Sequence, residues 1–85
     1  MIRVKLAYYR KKDWNRFIRV IDDRESMHDT WHDWYKDFQK TKRDLKNHGF
    51  KVEDIVVDLD ELIEYCKLRG IKNDGTARSQ FVQTR

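Results

Sequence analysis

The side chains best suited to chemistry lie in and around one long amphipathic segment, residues 26–49. His28 and His32 are four positions apart, and on a helix this spacing places two imidazoles one turn apart, where they can chelate a metal ion. The sequence offers no third ligand at a characteristic distance, and His48 and Cys66 are the only further candidates. Metal binding through His28 and His32 is therefore a minor alternative.

The single cysteine, Cys66, is the other residue with reactive chemistry. It falls on the apolar face of a predicted helix, where a free cysteine ordinarily behaves as a small hydrophobic residue. One cysteine cannot form an intrachain disulfide, so nothing in the sequence indicates an oxidising compartment. Gly49, Gly70 and Gly75 are isolated and form no phosphate-binding loop. We therefore predict a protein that is not an enzyme and uses no cofactor.

Positive charge is concentrated near the first strand–helix junction and along the long amphipathic segment. The first group is Arg10, Lys11, Lys12, Arg16 and Arg19, and the second is Lys36, Lys40 and Arg43. Tyr8, Tyr9 and Trp14 lie among the first group, and cations beside aromatic side chains are what single-stranded nucleic acid or RNA requires. Aspartates precede Lys36 and Lys40 by three positions, which favours ion pairs on a solvated face. Nucleic-acid binding through Arg10–Arg19 is the main alternative function.

The composition limits the class of protein. The 85 residues carry 19 Lys and Arg against 15 Asp and Glu, and 40% are charged, which is high for a globular chain. Trp, Tyr and Phe make up 13%, and this argues against disorder. The length predicts one domain, residues 1–85. No apolar run has the length of a membrane span or a signal peptide, so we expect no membrane partner and a cytoplasmic location.

The elements that position these residues follow from apolar periodicity and capping signals. Residues 2–8 alternate as a half-buried strand does. Asp13 is expected to cap a helix with its apolar stripe in residues 14–21. Ser26 and Asp29 resemble a capping box that starts the long helix. Gly49 is expected to end it, with Phe50 against Leu45 in a Schellman motif.

The second half of the chain repeats this order. Residues 50–57 predict a strand in which Glu53-Asp54 interrupts the alternation, so we expect a bulge, a bend or an exposed edge there. Asp58 should cap a third helix that stops at Gly70, and a short helix closes the chain. The predicted fold is α+β in the order β-α-α-β-α-α, a two-stranded sheet covered by helices with one long central helix. Because two strands make a marginal sheet, either the helices cover one face well enough or a second copy pairs with an edge to give four strands, and homodimerisation is our working hypothesis.

Tyr65 and Leu68 fall on the outer side of the third helix, away from its apolar stripe. They are predicted to contact either the last helix or a partner. The sequence thus favours a non-enzymatic binding or interaction module that acts as a homodimer or with another protein. Nucleic-acid binding is the alternative, and metal binding through the histidine pair is a minor one.

Overall fold

The computed structural model describes residues 2–85 as a small α+β domain. The strands are β1 (Arg3–Tyr8) and β2 (Lys51–Val56), and the helices are α1 (Trp14–Val20), α2 (Trp31–Asn47), α3 (Leu59–Arg69) and α4 (Gly75–Gln83). Short 3-10 turns occupy Lys11–Asp13 and Arg24–Ser26. The order confirms the predicted β-α-α-β-α-α fold. None of the helices described is long and apolar enough to cross a membrane.

The two strands are parallel and pair residue for residue, from Arg3 opposite Lys51 to Tyr8 opposite Val56. The pairing continues past β2, because the Val57 amide donates to the Tyr8 carbonyl at 3.0 Å. A parallel pair cannot be joined by a hairpin, so α1 and α2 form the crossover between the strands. The register contains no bulge at Glu53 and Asp54, and both residues are exposed. The bulge is therefore wrong, and the exposure of both residues agrees with an exposed edge.

The long helix begins later than predicted. Thr30, not Ser26, is its N-cap, since the Thr30 hydroxyl accepts from the Asp33 amide at 3.1 Å. Ser26 instead ends a 3-10 turn. Arg24 holds the intervening segment out of the helix, because its guanidinium donates to the Met27 carbonyl at 3.1 Å. This bond spans three positions, so one local interaction competes here with another, the capping signal at Ser26.

The other helix ends agree better with the predictions. Gly49 has a φ of 88°, and the Phe50 amide donates to the Leu45 carbonyl at 3.0 Å, which is the predicted Schellman motif. Asp58 caps α3 by accepting from the Glu61 amide at 3.0 Å, and Gly70 ends that helix with a φ of 63°.

Asp13 does not cap α1 as predicted. Its backbone is already helical, with φ −95° and ψ −5°, because the preceding 3-10 turn leads directly into the helix. Its carboxylate instead accepts from Arg10 Nε at 2.8 Å.

The core is a layer of aromatic rings between the sheet and the helices. Tyr9 stacks on Phe17 with ring centroids 4.1 Å apart, and Trp34 lies 5.1 Å from both Tyr9 and Phe38. Such ring pairs contribute about 0.5–1.5 kcal/mol each beyond the burial of their area. The aliphatic part of the core comes from α3, α4 and the segment between β2 and α3, and its fully buried members are Val57, Leu62 and Val82.

Candidate functional site

The most exposed large apolar side chain on the helices belongs to α3. Leu68 is 74% exposed and lines a groove of about 420 Å³ together with Asp60, Ile63, Glu64 and Lys67, which we call the α3 groove. Ile63 also lines an adjoining depression of about 230 Å³, whose other apolar walls are Val20, Cys66 and Ile71. Ile63 thus joins the two hollows into one surface with Leu68 at one end and Ile71, 40% exposed, at the other.

Tyr65 does not belong to this surface. Its ring packs edge-on against Phe81 of α4 at 5.3 Å, and the Arg69 guanidinium lies 3.8 Å from its ring centroid. Of the two contacts predicted for Tyr65, the one with the last helix is therefore the one formed. Leu68 has the exposure that the partner interpretation requires.

Ion pairs neutralise two of the five members of the first basic group. Arg10 binds Asp13, and Arg16 binds Asp60 of α3. Within residues 2–85, three exposed members form no ion pair with a carboxylate, Lys11, Lys12 and Arg19. The Lys11 ammonium lies 5.9 Å from the ring centroid of Trp31. Of the three aromatic residues expected to stack on bases, Tyr9 and Trp14 are buried in the core, and the half-buried Tyr8 packs edge-on against Trp34 with ring centroids 5.6 Å apart.

The second basic group is less neutralised than the sequence predicted. Lys36, Lys40 and Arg43 are exposed on α2, and within residues 2–85 none of them forms an ion pair. Asp37, expected beside Lys40, instead lies with Oδ2 2.5 Å from His28 Nε2. Beside them, a groove of about 310 Å³ runs along the helix between Gln39 and Asn47, lined also by Lys42, Arg43 and Lys46.

The histidine pair does not have the geometry that its spacing predicted. His28 precedes α2, so it and His32 are not one helical turn apart. The His28 ring pairs with the Asp37 carboxylate. His32 is exposed, and its ring lies edge-on to Trp31 with ring centroids 5.3 Å apart. In the part of the chain that the structure describes, no three His, Cys, Asp or Glu residues are grouped as metal ligands.

Cys66 faces the interior of the domain. It is buried on the inner side of α3 beside Leu62, as its apolar position predicted. Burial raises the pKa of its thiol, which keeps the sulfur in its less nucleophilic protonated form at neutral pH.

A buried ion pair between Asp23 and Arg78 is the feature that sequence reasoning missed. Arg78 is 3% exposed, and its guanidinium also donates to the Asn73 carbonyl at 3.0 Å. Burial opposes the charged form of Arg78, but the hydrogen bond and charge of Asp23, together with Tyr9, outweigh burial and raise the pKa of Arg78. Burial also acts against the Asp23 carboxylate, yet Arg78 holds the pKa of that group below its ordinary value. The only signal in the sequence was an arginine between two apolar helical positions, Ala77 and Phe81.

Comparison with known proteins gives no relative for this chain. A scan against protein-family models, a search of curated proteins and a search of solved structures each find no match.

Proposed function

We propose that the protein is a non-enzymatic interaction module that binds a protein partner, and in the first instance a second copy of itself, through the α3 groove. The observation that carries this proposal is the 74% exposure of Leu68 beside Ile63 on one continuous surface. Complete burial of a leucine side chain stabilises a complex by about 1.5–3 kcal/mol. A partner that buries Leu68 stabilises the complex by that amount, and the fold does not have to change. The free and buried Cys66 supports a cytoplasmic setting.

The charges around Leu68 support self-association in particular. Glu64 and Lys67 both line the α3 groove and both are exposed. A two-fold symmetric interface brings each patch against its own copy, so Glu64 of one protomer can face Lys67 of the other. Asp60, the remaining charge in the groove, is already paired with Arg16. The groove is therefore apolar at Leu68 and self-complementary at its rim.

The oligomeric state of the full chain tests this function. We expect sedimentation equilibrium to give a mass that rises from one chain to two as the protein concentration increases through the micromolar range. Leu68→Glu should return the mass to that of one chain. Ile2→Glu is the matched control, since Ile2 is also an exposed apolar residue but lies outside the groove. A single-chain mass at every concentration, or an equal effect of both variants, would contradict self-association through α3.

Nucleic-acid binding is the second candidate, and a specific observation favours it. Lys36, Lys40 and Arg43 form an exposed row on α2 that Asp37 does not neutralise. Their spacing of four and three residues puts them on one helical face about 5–6 Å apart. Phosphates of a nucleic-acid backbone attract such a row independently of base sequence.

Salt-dependent binding of random single-stranded RNA and duplex DNA tests this second candidate. Each phosphate contact adds about 0.7–0.9 to the slope of log affinity against log salt concentration. Charge reversal at Lys40 and Arg43 should lower that slope, whereas reversal at Lys11 and Lys12 should do so only if the first basic group is the site. Absence of binding at low salt would remove nucleic acid from consideration and leave the protein-partner function.

A further inference from the structure

A cleft on the opposite side of α4 from α3 has the composition of a small-ligand site. It has a volume of about 320 Å³, at the lower end of the range of about 300–1,000 Å³ for ligand pockets. Its polar walls are Lys5 of β1, Tyr9, Ser26, His28, and Arg78 and Ser79 of α4. It shares no lining residue with the α3 groove, so it stands independently of the proposed function. We call it the Arg78 cleft.

The charge of this cleft is of one sign. Lys5 and Arg78 line it, and within residues 2–85 no Asp or Glu side chain does. The Lys5 ammonium donates to the backbone oxygen of Arg85, so two of its three N–H donors remain. The hydroxyls of Ser26 and Ser79 are further donors on the walls, and both residues are exposed. Because Asp23 neutralises Arg78, Lys5 supplies the positive charge that the cleft offers to a negatively charged ligand.

One unpartnered N–H donor belongs to a residue that lines this cleft. Arg78 Nε is buried without a hydrogen-bond partner, and the Arg78 side chain is only 4% exposed. Such an atom costs about 1–3 kcal/mol relative to a bonded one. Natural proteins keep few of these atoms, and those they keep call for an explanation. The Arg78 Nε–H beside this cleft therefore indicates a place for a ligand that carries an acceptor atom.

Much of the lining of the cleft is apolar, which determines the kind of anion. The apolar lining residues are Leu6, Ala7, Met27, Trp34 and Val82. An inorganic anion would leave this surface without a contact, whereas a ligand with a hydrocarbon body would cover it. The structure thus favours an amphipathic organic anion.

The donors that suit a phosphate are already engaged. Arg78 Nη1 and Nη2 bind Asp23 at 3.0 and 2.8 Å, so the guanidinium offers no two-point fork to a ligand, and the donors that remain are single ones on Lys5, the serine hydroxyls and Arg78 Nε. The start of α4, where a phosphate would otherwise bind, is capped by Asp74, whose carboxylate accepts from the Ala77 amide at 3.0 Å. A group of single charge and few acceptor atoms fits what remains. We propose that the Arg78 cleft binds a small organic carboxylate with an apolar body.

Titration of the full chain with model ligands tests the proposal. The probes are hexanoate, 1-hexanol with the same body and no charge, acetate with the charge and little body, and hexyl phosphate. In ¹H–¹⁵N correlation spectra, we expect hexanoate to give saturable shifts of the amides of Gly75, Ser79 and His28 at millimolar concentration. 1-Hexanol and acetate should each bind at least tenfold more weakly, because each lacks one of the two complementary parts.

Two variants and a control assign the site. Lys5→Met should weaken hexanoate binding about tenfold or more, as expected for a lost charge-assisted hydrogen bond. Ser79→Leu places a larger side chain on the wall from an exposed helical position and should block binding while α4 is kept. Lys12→Met removes an exposed lysine that does not line the cleft and should leave hexanoate affinity unchanged.

The outcomes that would overturn the proposal are distinct from those for the α3 groove. Shifts that do not saturate with hexanoate, or equal affinity for hexanoate in the Lys5→Met and Lys12→Met variants, would remove the cleft as a carboxylate site. Tighter binding of hexyl phosphate than of hexanoate would overturn the carboxylate assignment. None of these results depends on the oligomeric state, which Leu68→Glu tests separately.

Discussion

Asp23 and Arg78, 55 positions apart in the chain, meet in a two-point ion pair. Nη1 of Arg78 donates to Oδ1 of Asp23 at 3.0 Å, and Nη2 donates to Oδ2 at 2.8 Å. Beside them the Asn73 amide donates to Asp22 at 2.7 Å, and the Asp22 amide donates back to the Asn73 carbonyl at 2.9 Å. The segment after α1 is thereby fastened to the start of α4 by charge and by backbone hydrogen bonds.

The two halves of this ion pair should respond unequally to substitution. Asp23→Asn leaves a guanidinium that is 4% exposed without a counter-charge, and we expect it to lower the free energy of unfolding by about 2–4 kcal/mol. Arg78→Met should cost less, because the Asp23 carboxylate is 19% exposed and can keep part of its hydration. Urea denaturation of the two variants measures this difference. A larger loss for Arg78→Met than for Asp23→Asn would contradict it.

The ion pair also predicts how stability depends on pH. Arg78 lowers the pKa of Asp23 in the folded chain from its ordinary value of 3.8, so the unfolded chain takes up the proton first as the pH falls. The contribution of Asp23 is therefore complete above pH 3.8 and is lost as the pH falls through the lower pKa of the folded state. We expect wild type and Asp23→Asn to differ by a constant free energy of unfolding between about pH 7 and about pH 5. In denaturation at lower pH the difference should shrink, and a constant difference there would rule out the lowered pKa.

The start of α2 can be located by a pair of substitutions. Thr30→Ala removes the hydroxyl that accepts from the Asp33 amide and should cost about 1 kcal/mol. Ser26→Ala should change the free energy of unfolding by a few tenths of a kcal/mol at most, because Ser26 caps no α-helix here. Thermal or urea denaturation distinguishes the two. A larger effect at Ser26 would return the helix start to the position that the sequence suggested.

Two glycines should respond in opposite directions to alanine. Gly49 has a φ of 88°, which disfavours any side chain, so Gly49→Ala should cost about 1–2 kcal/mol. Gly75 begins α4 without a positive φ, and a Cβ there meets no atom within 4 Å. Gly75→Ala should therefore stabilise the chain by about 0.4–1 kcal/mol. Midpoints of thermal unfolding that move the same way for both variants would contradict the assigned backbone conformations.

The predictable part of this fold is the part that local chemistry determines. The Schellman motif at Gly49 and Phe50 and the cap at Asp58 depend on residues within one turn of each other, so their types and spacing are sufficient. The start of α2 depends on more distant contacts. Trp31 Nε1 donates to the Tyr9 carbonyl at 2.8 Å across 22 positions, and no periodicity in the sequence encodes that bond.

The functional residues were less predictable for the same reason. The sequence identifies the basic residues by their type. It does not show that Arg10 and Arg16 form ion pairs with Asp13 and Asp60, because these pairs form in the tertiary structure. His28 and His32 have a chelating spacing only if one helix holds both, and the later start of α2 removes that condition. Arg78 could not be distinguished from a surface arginine, because its partner Asp23 is remote in sequence.

The parallel pairing of β1 with β2 also has a consequence for the order of folding. Pairing of the two strands cannot start at a tight turn, because parallel strands are not joined by one. The connection through α1 and α2 must first bring the strands together. Closing such a long connection costs chain entropy before any ladder hydrogen bond is gained. The helix caps at Thr30 and Asp58 and the ring stack between Trp31 and Tyr35 form between near neighbours and carry no such cost. We therefore expect amide protection from hydrogen exchange to develop first in α2 and α3, and the sheet to be the last element acquired.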